Sequence, residues 1–590
     1  MSGLRTLIRL SLLSSLSLGL LLLFSLIYSL PLHKQQLVVH RQLDHVPEGY
    51  IQIGKPNPND LIQLTVGLVS PNMTQLEKRL DEISNVNHTN YGKYLSKADV
   101  EAFVRPDSNV TMAINAWLTG HNIKPKTTTP AGNRLTLEIP VNQAENLLNA
   151  SFNVYSHILS NQTVTRVMQY SVPKGLTQAI SFIHPISHFP SKPPNSGTRS
   201  RKRSVVPSEF SKSNTTSIIR RDAVCTPAPG NVEVDIACRK KALEQYHIPL
   251  DMDVPSTNDE VVILAFDESV RGSDVAYRSD VELSKVRLEI VSAHGGDNPA
   301  NATSNNAVET DIAVQMVLGV APNSRITVIS SPVNEDDDTN YLDAFEFLLQ
   351  KETMSTVVSL SDVSDEASLD TEVINSVCHD IMQLTARGTT VVVASGDGGV
   401  TGTGKDPMTC NTFHATFPTI CPHALSVGAT QIFPNNTETA AAYSGGGFSN
   451  KVPMPSYQTE VVGNYLKQLG DKYSGLYNPQ GRGFPDVSIL GGWIHFVDPG
   501  ASGALGTAVS APLIAGVIAA MNDHRRAKGQ GPLGYIHPML YANTDAFTDI
   551  TQGSNPGCNT DGFPAMGGWD PVNIFFIMFI VGYLSDEIFM

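Results

Sequence analysis

Between residues 260 and 394 four short apolar runs alternate with segments of helical spacing, and this alternation limits the fold more than any other feature. Val261-Val262-Ile263-Leu264-Ala265-Phe266 is continuously apolar. Arg325-Ile326-Thr327-Val328-Ile329, Thr356-Val357-Val358-Ser359-Leu360-Ser361 and Thr390-Val391-Val392-Val393-Ala394 are of strand length and rich in β-branched residues. A strand without polar alternation is buried on both faces, which happens where helices cover both sides of a parallel sheet. The intervening chain supplies helices. Tyr341 to Gln350 has helical spacing, and Leu369 to Arg387 is amphipathic and stopped by Gly388. The expected fold class is α/β, a doubly wound parallel sheet with functional groups at the carboxyl ends of its strands.

A chain of 590 residues has room for more than this sheet. Residues 36 to about 190 carry a separate α/β pattern. Leu61 to Val66 alternates as a strand, Met73 to Ile83 is helical, and Ala144 to Leu148 begins another helix. Between the two blocks, residues 191–221 are rich in Ser, Pro, Lys and Arg and have no apolar period. Arg201-Lys202-Arg203 and Arg220-Arg221 in this linker are ready cleavage sites for a processing protease, after Arg203 or Arg221. The bland alternative is a solvated loop.

Composition bounds the setting. A formal net charge of -15 argues against nucleic acid as a partner. Arg5 and Arg9 precede the apolar run Leu10 to Leu30, a positive n-region followed by an h-region. The run reads as a signal peptide over 1–30 and secretion to the extracellular space. Its length leaves an uncleaved anchor as the alternative. Eight glycosylation acceptors, Asn72, Asn87, Asn109, Asn149, Asn161, Asn214, Asn301 and Asn435, agree with export. Six cysteines suit two or three disulfides in an oxidising compartment, with connectivity unreadable from sequence. No Cys-x-x-Cys or His-Glu-x-x-His occurs, so zinc chemistry has no foothold.

The chemistry concentrates in Gly506-Thr507-Ala508-Val509-Ser510-Ala511-Pro512, which runs into an apolar helix. A tight turn, a proline in the first helical turn and outward N–H groups favour a nucleophile and its developing oxyanion. The stretch resembles the Gly-Thr-Ser-x-Ser-x-Pro signature of the sedolisins, the serine-carboxyl peptidases of subtilisin-like fold. Ala394-Ser395-Gly396-Asp397-Gly398-Gly399, Tyr443-Ser444-Gly445-Gly446-Gly447-Phe448-Ser449 and Gly483-Phe484-Pro485-Asp486-Val487-Ser488 match the same family in order. Tyr91-Gly92-Lys93-Tyr94-Leu95-Ser96, Trp117-Leu118 and Tyr170-Ser171-Val172-Pro173 resemble its activation prodomain.

The resemblance implies an activation prodomain over 31–190, a processing linker, and a peptidase domain over 222–573. It implies peptide or protein substrates, the chain's own prodomain as a partner, and a monomer. It places the general base at Glu309, the oxyanion-hole aspartate at Asp397, and the substrate cleft at Ser444, Gly445, Gly446 and Gly447. It also places the nucleophile on position 508 and the aspartate that supports the base on position 313. Both are alanine here, Ala508 and Ala313. Asp311 lies about 200° around a helix from Glu309 and so does not replace the missing carboxylate. Ser359-Leu360-Ser361-Asp362-Val363 departs from the family's Ser-x-Ser-Tyr-Gly strand.

Asp549 and Asp570, with the backbone of Ile550 and Gly568, resemble the family's single calcium site, an all-oxygen set suited to a hard cation. After Val572 the resemblance stops, and the apolar run from Ile574 is too short to span a bilayer. Three functions are open at this point. The first is a secreted peptidase homologue that has lost activity. The second is an active acid tripeptidyl- or endopeptidase with a non-standard site. The third is a membrane-anchored peptide-binding or interaction protein.

Overall fold

The structure is a computed structural model that describes residues 36–158, 161–190, 260–266, 287–293, 308–332, 337–403, 410–433, 437–492 and 505–572. The leader 1–30, Arg203, Arg221, Asn214, Asn301, Asn435, Cys225, Cys238, Ser502 and the tail 574–590 lie outside the described residues. The chain divides into two compact units, Met1–Met73 with Glu101–Phe189, and Thr74–Val100 with Pro190–Met590.

In chain order the N-terminal elements are β1 (Leu37–Gln42), β2 (Tyr50–Gly54), β3 (Leu61–Leu68), α1 (Met73–Ser84), α2 (Lys97–Val104), α3 (Ser108–Gly120), β4 (Lys126–Thr127) and β5 (Arg134–Pro140). α4 (Val141–Leu148), β6 (Asn153–His157), β7 (Thr163–Arg166), β8 (Gln169–Pro173) and β9 (Ile180–His184) follow. The first unit holds an antiparallel sheet in the order β4-β5-β3-β9, with smaller sheets β2-β6-β7 and β1-β8. α3 buries Ile114, Trp117 and Leu118, the i, i+3, i+4 stripe of one helix face. They share a core with Leu64 and Val66 of β3, Leu135 and Leu137 of β5, and Leu147 of α4. α4 begins three residues earlier than the apolar spacing suggested, because Val141 is itself buried behind Pro140. It ends at Asn149 in the left-handed conformation (φ 44°), which asparagine adopts more readily than most residues. Asn87, Asn109, Asn149 and Asn161 are exposed, and Asn72 is half-buried.

In the second unit come β10 (Glu260–Phe266), β11 (Arg287–Ser292), α5 (Val308–Val320), β12 (Arg325–Ser331), α6 (Asp337–Gln350), β13 (Val357–Leu360), β14 (Ser364–Asp365), α7 (Thr371–Ala386) and β15 (Thr390–Ala394). They are followed by β16 (Thr416–Phe417), β17 (Ala424–Ile432), β18 (Glu438–Ala440), β19 (Gly447–Pro453), α8 (Thr459–Leu469), β20 (Gly481–Phe484), β21 (Val487–Leu490), α9 (Thr507–Ala527) and α10 (His537–Ala542). The main sheet runs β11-β12-β10-β13-β15-β17-β18, with β21 beside β17. Every pairing in it is parallel except β17 with β18.

The apolar runs explain themselves here. Val261, Ile263 and Ala265 of β10 point into a core with α5 and α9. Val262, Leu264 and Phe266 point the other way, into a core with α6 and α7. The sheet is doubly wound, as its sequence pattern requires. Disulfides join Cys378 of α7 to Cys421, and Cys410 to Cys558. No helix among the described residues is long and apolar enough to cross a membrane.

The segment before β21 is held from below by a buried ionic cluster. Arg482 donates Nη2 to Asp486 Oδ2 at 2.5 Å, and neither side chain is exposed. Tyr541 of α10 donates to Asp486 Oδ1 at 2.8 Å, the Ser426 N–H reaches Oδ2 at 2.8 Å, and His537 Nε2 lies 3.4 Å from Oδ2. Burial opposes the charge of Asp486, but Arg482 first and His537 next hold its pKa down at about 2.

His423, packed on Tyr535, is pushed from 6.5 to about 3 by burial and then by the charges of His537, His379 and Arg482. As pH falls the unfolded chain takes up this proton near 6.5 while the folded chain refuses it. The associated stability is therefore complete above about pH 6.5 and is lost progressively toward pH 3, with Asp486 adding to the loss below about 3.8. Thermal melts of the protein should fall steeply over that range, and a His423→Phe variant should show a shallower fall. Parallel curves for the two proteins would contradict the assignment.

Candidate active site

α5 lies between β11 and β12, and α9 follows β21, so both helices run back along parallel strands in the same direction. Their first turns therefore stand at the carboxyl edge of the sheet. The two helices meet closely at Gly516, where a Cβ would come 3.2 Å from the Val317 carbonyl oxygen and 3.0 Å from Val320 Cβ. Eight residues, about 12 Å of helix, lead from Gly516 back to Ala508 and from Val317 back to Glu309. Glu309 and Ala508 thus occupy the same end of one helix pair.

Glu309 is half-buried, whereas Ala313 is 2% exposed and Ala508 6%. Asp311 is fully buried, in keeping with a helix face other than that of Glu309. Ala313 belongs to the apolar core with Val314, Val317 and Val509, so its methyl now does packing work.

Asp397 follows β15 by three residues and reaches the start of α9. Its Oδ1 accepts the Thr507 N–H at 2.8 Å and the Thr507 hydroxyl at 3.0 Å. The Thr507 hydroxyl oxygen in turn accepts the Gly396 N–H at 3.1 Å. A carboxylate on the first N–H groups of a helix sits in the favourable end of its dipole. Gly506, at φ 138°, lies against this carboxylate, and a Cβ there would be 2.7 Å from Asp397 Oδ2. Below it, the hydroxyl of the half-buried Tyr443 donates to the Gly491 carbonyl at 2.6 Å.

Pro512 proves to lie in the second turn of α9 and not in the first. The helix begins at Thr507 because Asp397 caps it from outside. Having no N–H, Pro512 leaves the Ala508 carbonyl without its usual i+4 donor. Ser510 is not a stand-in nucleophile. It is fully buried, and its hydroxyl donates to the Ile489 carbonyl at 3.1 Å.

The glycine segment 444–447 is wedged between two loops. The Gly445 N–H donates to the Gly396 carbonyl at 2.7 Å. A Cβ on Gly446 would lie 1.7 Å from the Pro571 carbonyl oxygen, so only glycine fits there. The Ser444 hydroxyl accepts the Ala429 N–H at 3.0 Å. Asn555 Nδ2 donates to the carbonyls of Gly446 (3.1 Å) and Pro571 (3.0 Å). The Gly445 and Gly446 contacts are with the chain's own carbonyls. Gly447 then opens β19, which pairs with β20.

Sequence reasoning missed Glu366. This buried carboxylate accepts the N–H groups of Asn450 (2.9 Å) and Lys451 (3.0 Å) and the Ser449 hydroxyl, and so fixes the bend in β19. Nothing in its polar surroundings, Ser364-Asp365-Glu366-Ala367-Ser368, marked it. The departure at Ser361-Asp362-Val363 leads β13 into β14, where Asp365 accepts the Thr403 N–H and hydroxyl, both at 2.8 Å.

Asp549 and Asp570 both grip the loop 566–572. Asp549 Oδ2 accepts the Gly568 N–H at 2.8 Å, and Asp570 accepts the N–H groups of Met566 (2.9 Å) and Val572 (3.0 Å). Burial raises the pKa of Asp549 above the ordinary carboxylate range, a cost to its charge that a bound cation would relieve. No cluster of three or more His, Cys, Asp or Glu side chains suited to a metal occurs among the described residues, so a cation here would draw on backbone carbonyls as well.

The start of α9, Glu309 and the capping Asp397 thus lie together on the carboxyl edge of a doubly wound sheet. An activation-domain family model, Pro-kumamolisin, activation domain, matches residues 48–189. Tripeptidyl-peptidase SED3 of Arthroderma otae is 31% identical over 571 residues, covering 90% of this chain and 92% of that protein. Probable tripeptidyl-peptidase SED3 of Trichophyton verrucosum is 30% identical over 573 residues, covering 90% and 93%. Among solved structures, Pseudomonas sedolisin complexed with pseudo-iodotyrostatin covers 58% of this chain and 98% of its own, with 18% identity and a TM-score of 0.47. The chain belongs to the sedolisin family of serine-carboxyl peptidases.

Proposed function

We propose that this protein is a secreted sedolisin homologue that binds peptides and does not cleave them. The observation that carries this reading is Ala508 at the capped start of α9, in the place where the family signature has its serine. A methyl group cannot attack a carbonyl or form an acyl-enzyme. Ala313 supports the reading from a separate segment, since Glu309 then lacks a carboxylate one helical turn away. The Asp397 carboxyl remains beside the start of α9, a group that in its protonated form can donate to a peptide carbonyl.

The test is the purified chain, incubated at acid pH with peptide substrates. The expected result is saturable binding, read by fluorescence anisotropy, with no release of tripeptides. Hydrolysis that disappears in Glu309→Gln would overturn the proposal.

The same reading includes one calcium ion, held by the carboxylates of Asp549 and Asp570 and the carbonyls of Ile550 and Gly568. The donor chemistry fits, because all four offer oxygen and two carry charge. Bound there, calcium would cross-link the 549–550 and 566–572 segments by charge neutralisation. Chelation should then lower the melting temperature, and Asp570→Asn should melt at the chelated value with or without calcium. A melting temperature indifferent to chelator would remove calcium from the proposal.

A further inference from the structure

Residues 74–100 fall inside the activation-domain match but belong to the peptidase unit. Within that unit, Tyr91–Lys97 forms a strap whose contacts centre on Tyr94. The Tyr94 hydroxyl lies 2.6 Å from the Leu533 carbonyl and 3.0 Å from the Pro532 carbonyl. Its ring lies against two glycines held at positive φ, Gly388 (96°) and Gly534 (60°). A Cβ on Gly534 would come 2.5 Å from the Tyr94 hydroxyl oxygen, and one on Gly388 3.0 Å from the ring. Both positions are thus shaped to admit the aromatic ring.

The strap is fastened on either side of that ring. The Leu95 N–H donates to the Ala386 carbonyl at the end of α7 (2.9 Å). Lys97 Nζ donates to the Gln350 carbonyl (2.9 Å) and pairs with Glu352 (2.7 Å). Arg387 shapes this landing by donating Nη2 to the carbonyls of Lys351 (2.8 Å) and Glu352 (2.9 Å). At the other end the Tyr91 side chain hydrogen-bonds Arg525, whose Nε also donates to the Gly531 carbonyl at 2.8 Å. An aromatic ring in a fitted pocket, its hydroxyl directed at backbone carbonyls and flanked by polar contacts, has the composition of a binding hot spot.

We propose that Gly388, Pro532, Leu533 and Gly534 form a socket for Tyr94 that retains the strap on the peptidase unit after the linker is cut. Because the strap is continuous with the rest of the activation region, the cut protein stays a two-chain complex while Tyr94 is seated. The socket recognises a tyrosine in a short basic peptide, and its occupant is this chain's own Tyr91–Lys97. The proposal does not depend on whether Ala508 abolishes catalysis.

The experiment uses the full chain with a sequence-specific protease site in place of Arg201-Lys202-Arg203, cut and then analysed by size exclusion over a dilution series. The uncompromised socket should keep both chains in one peak. Tyr94→Ala should weaken their association about a hundredfold, and Tyr94→Phe, which keeps the ring, about tenfold. A second arm avoids any variant fold. A synthetic Tyr91–Lys97 heptapeptide added to the cut native protein should displace the activation chain, and the same peptide with Tyr94→Ala should not. Co-elution unchanged by Tyr94→Ala, or two heptapeptides of equal effect, overturns the socket.

Discussion

Placing serine at 508 and aspartate at 313 together should create the peptide hydrolysis that the proposed function denies the native chain. The helix terminus is still built for it: Asp397 holds the Thr507 N–H at 2.8 Å, and Ala508 follows immediately. Glu309 stands at the same end of the α5 and α9 pair, and residue 313 is one turn further along its own helix, the spacing that brings two side chains together. Members of such a constellation act as a unit, and loss of the nucleophile costs on the order of 10⁶ in kcat. The double variant Ala508→Ser, Ala313→Asp should therefore exceed the native chain by at least about 10³ in tripeptide release at acid pH, even if positioning is imperfect. Ala508→Ser alone should recover much less, and adding Glu309→Gln to the double variant should abolish the gain. The aspartate brings a cost, since residue 313 is buried among aliphatic side chains and its carboxyl needs Glu309 as partner. A folded double variant without activity would mean that the cleft, and not only the missing groups, has diverged.

Arg482→Met is expected to be the most damaging single substitution away from that site. It would leave Asp486 charged and fully buried without its cation, a loss of about 3–5 kcal/mol for pairs of this kind. Denaturant unfolding should show it directly as a lower midpoint at unchanged slope. Combining it with Asp486→Asn should recover part of the loss, because the amide oxygen can still accept the Ser426 N–H while its NH2 donates to the Tyr541 hydroxyl oxygen, without a stranded charge. A change below about 1 kcal/mol for Arg482→Met would show that solvent reaches the pair after all.

The sheet was legible because its strands had to be apolar on both faces. The run Val261 to Phe266 has no other economical home, and β10 occupies Glu260–Phe266. Helix ends were less legible. α9 begins where a carboxylate from a different segment caps it, and no local pattern could reveal that Pro512 would sit one turn in. The positions that close the site were legible only through motif spacing. Glycines 445 and 446 were visible in the sequence, but their neighbours, the carbonyls of Gly396 and Pro571, come from segments far apart along the chain. Glu366 was invisible for the same reason. Its burial depends on the bend of β19 and on no feature of its own neighbourhood.

The cap on α9 also bears on the order of folding. Gly506 offers no side chain to its own helix, and the group that satisfies the Thr507 N–H comes from 110 residues upstream. An isolated fragment spanning α9 would lack that group, so its first turn should fray even where the apolar body of the helix holds. The turn can lock only once β15 has been paired on both sides, which is the slow, non-local part of assembling a parallel sheet. Amide exchange at Thr507 then becomes a clock for tertiary completion: protected late in refolding, and among the first positions to open when the sheet loosens.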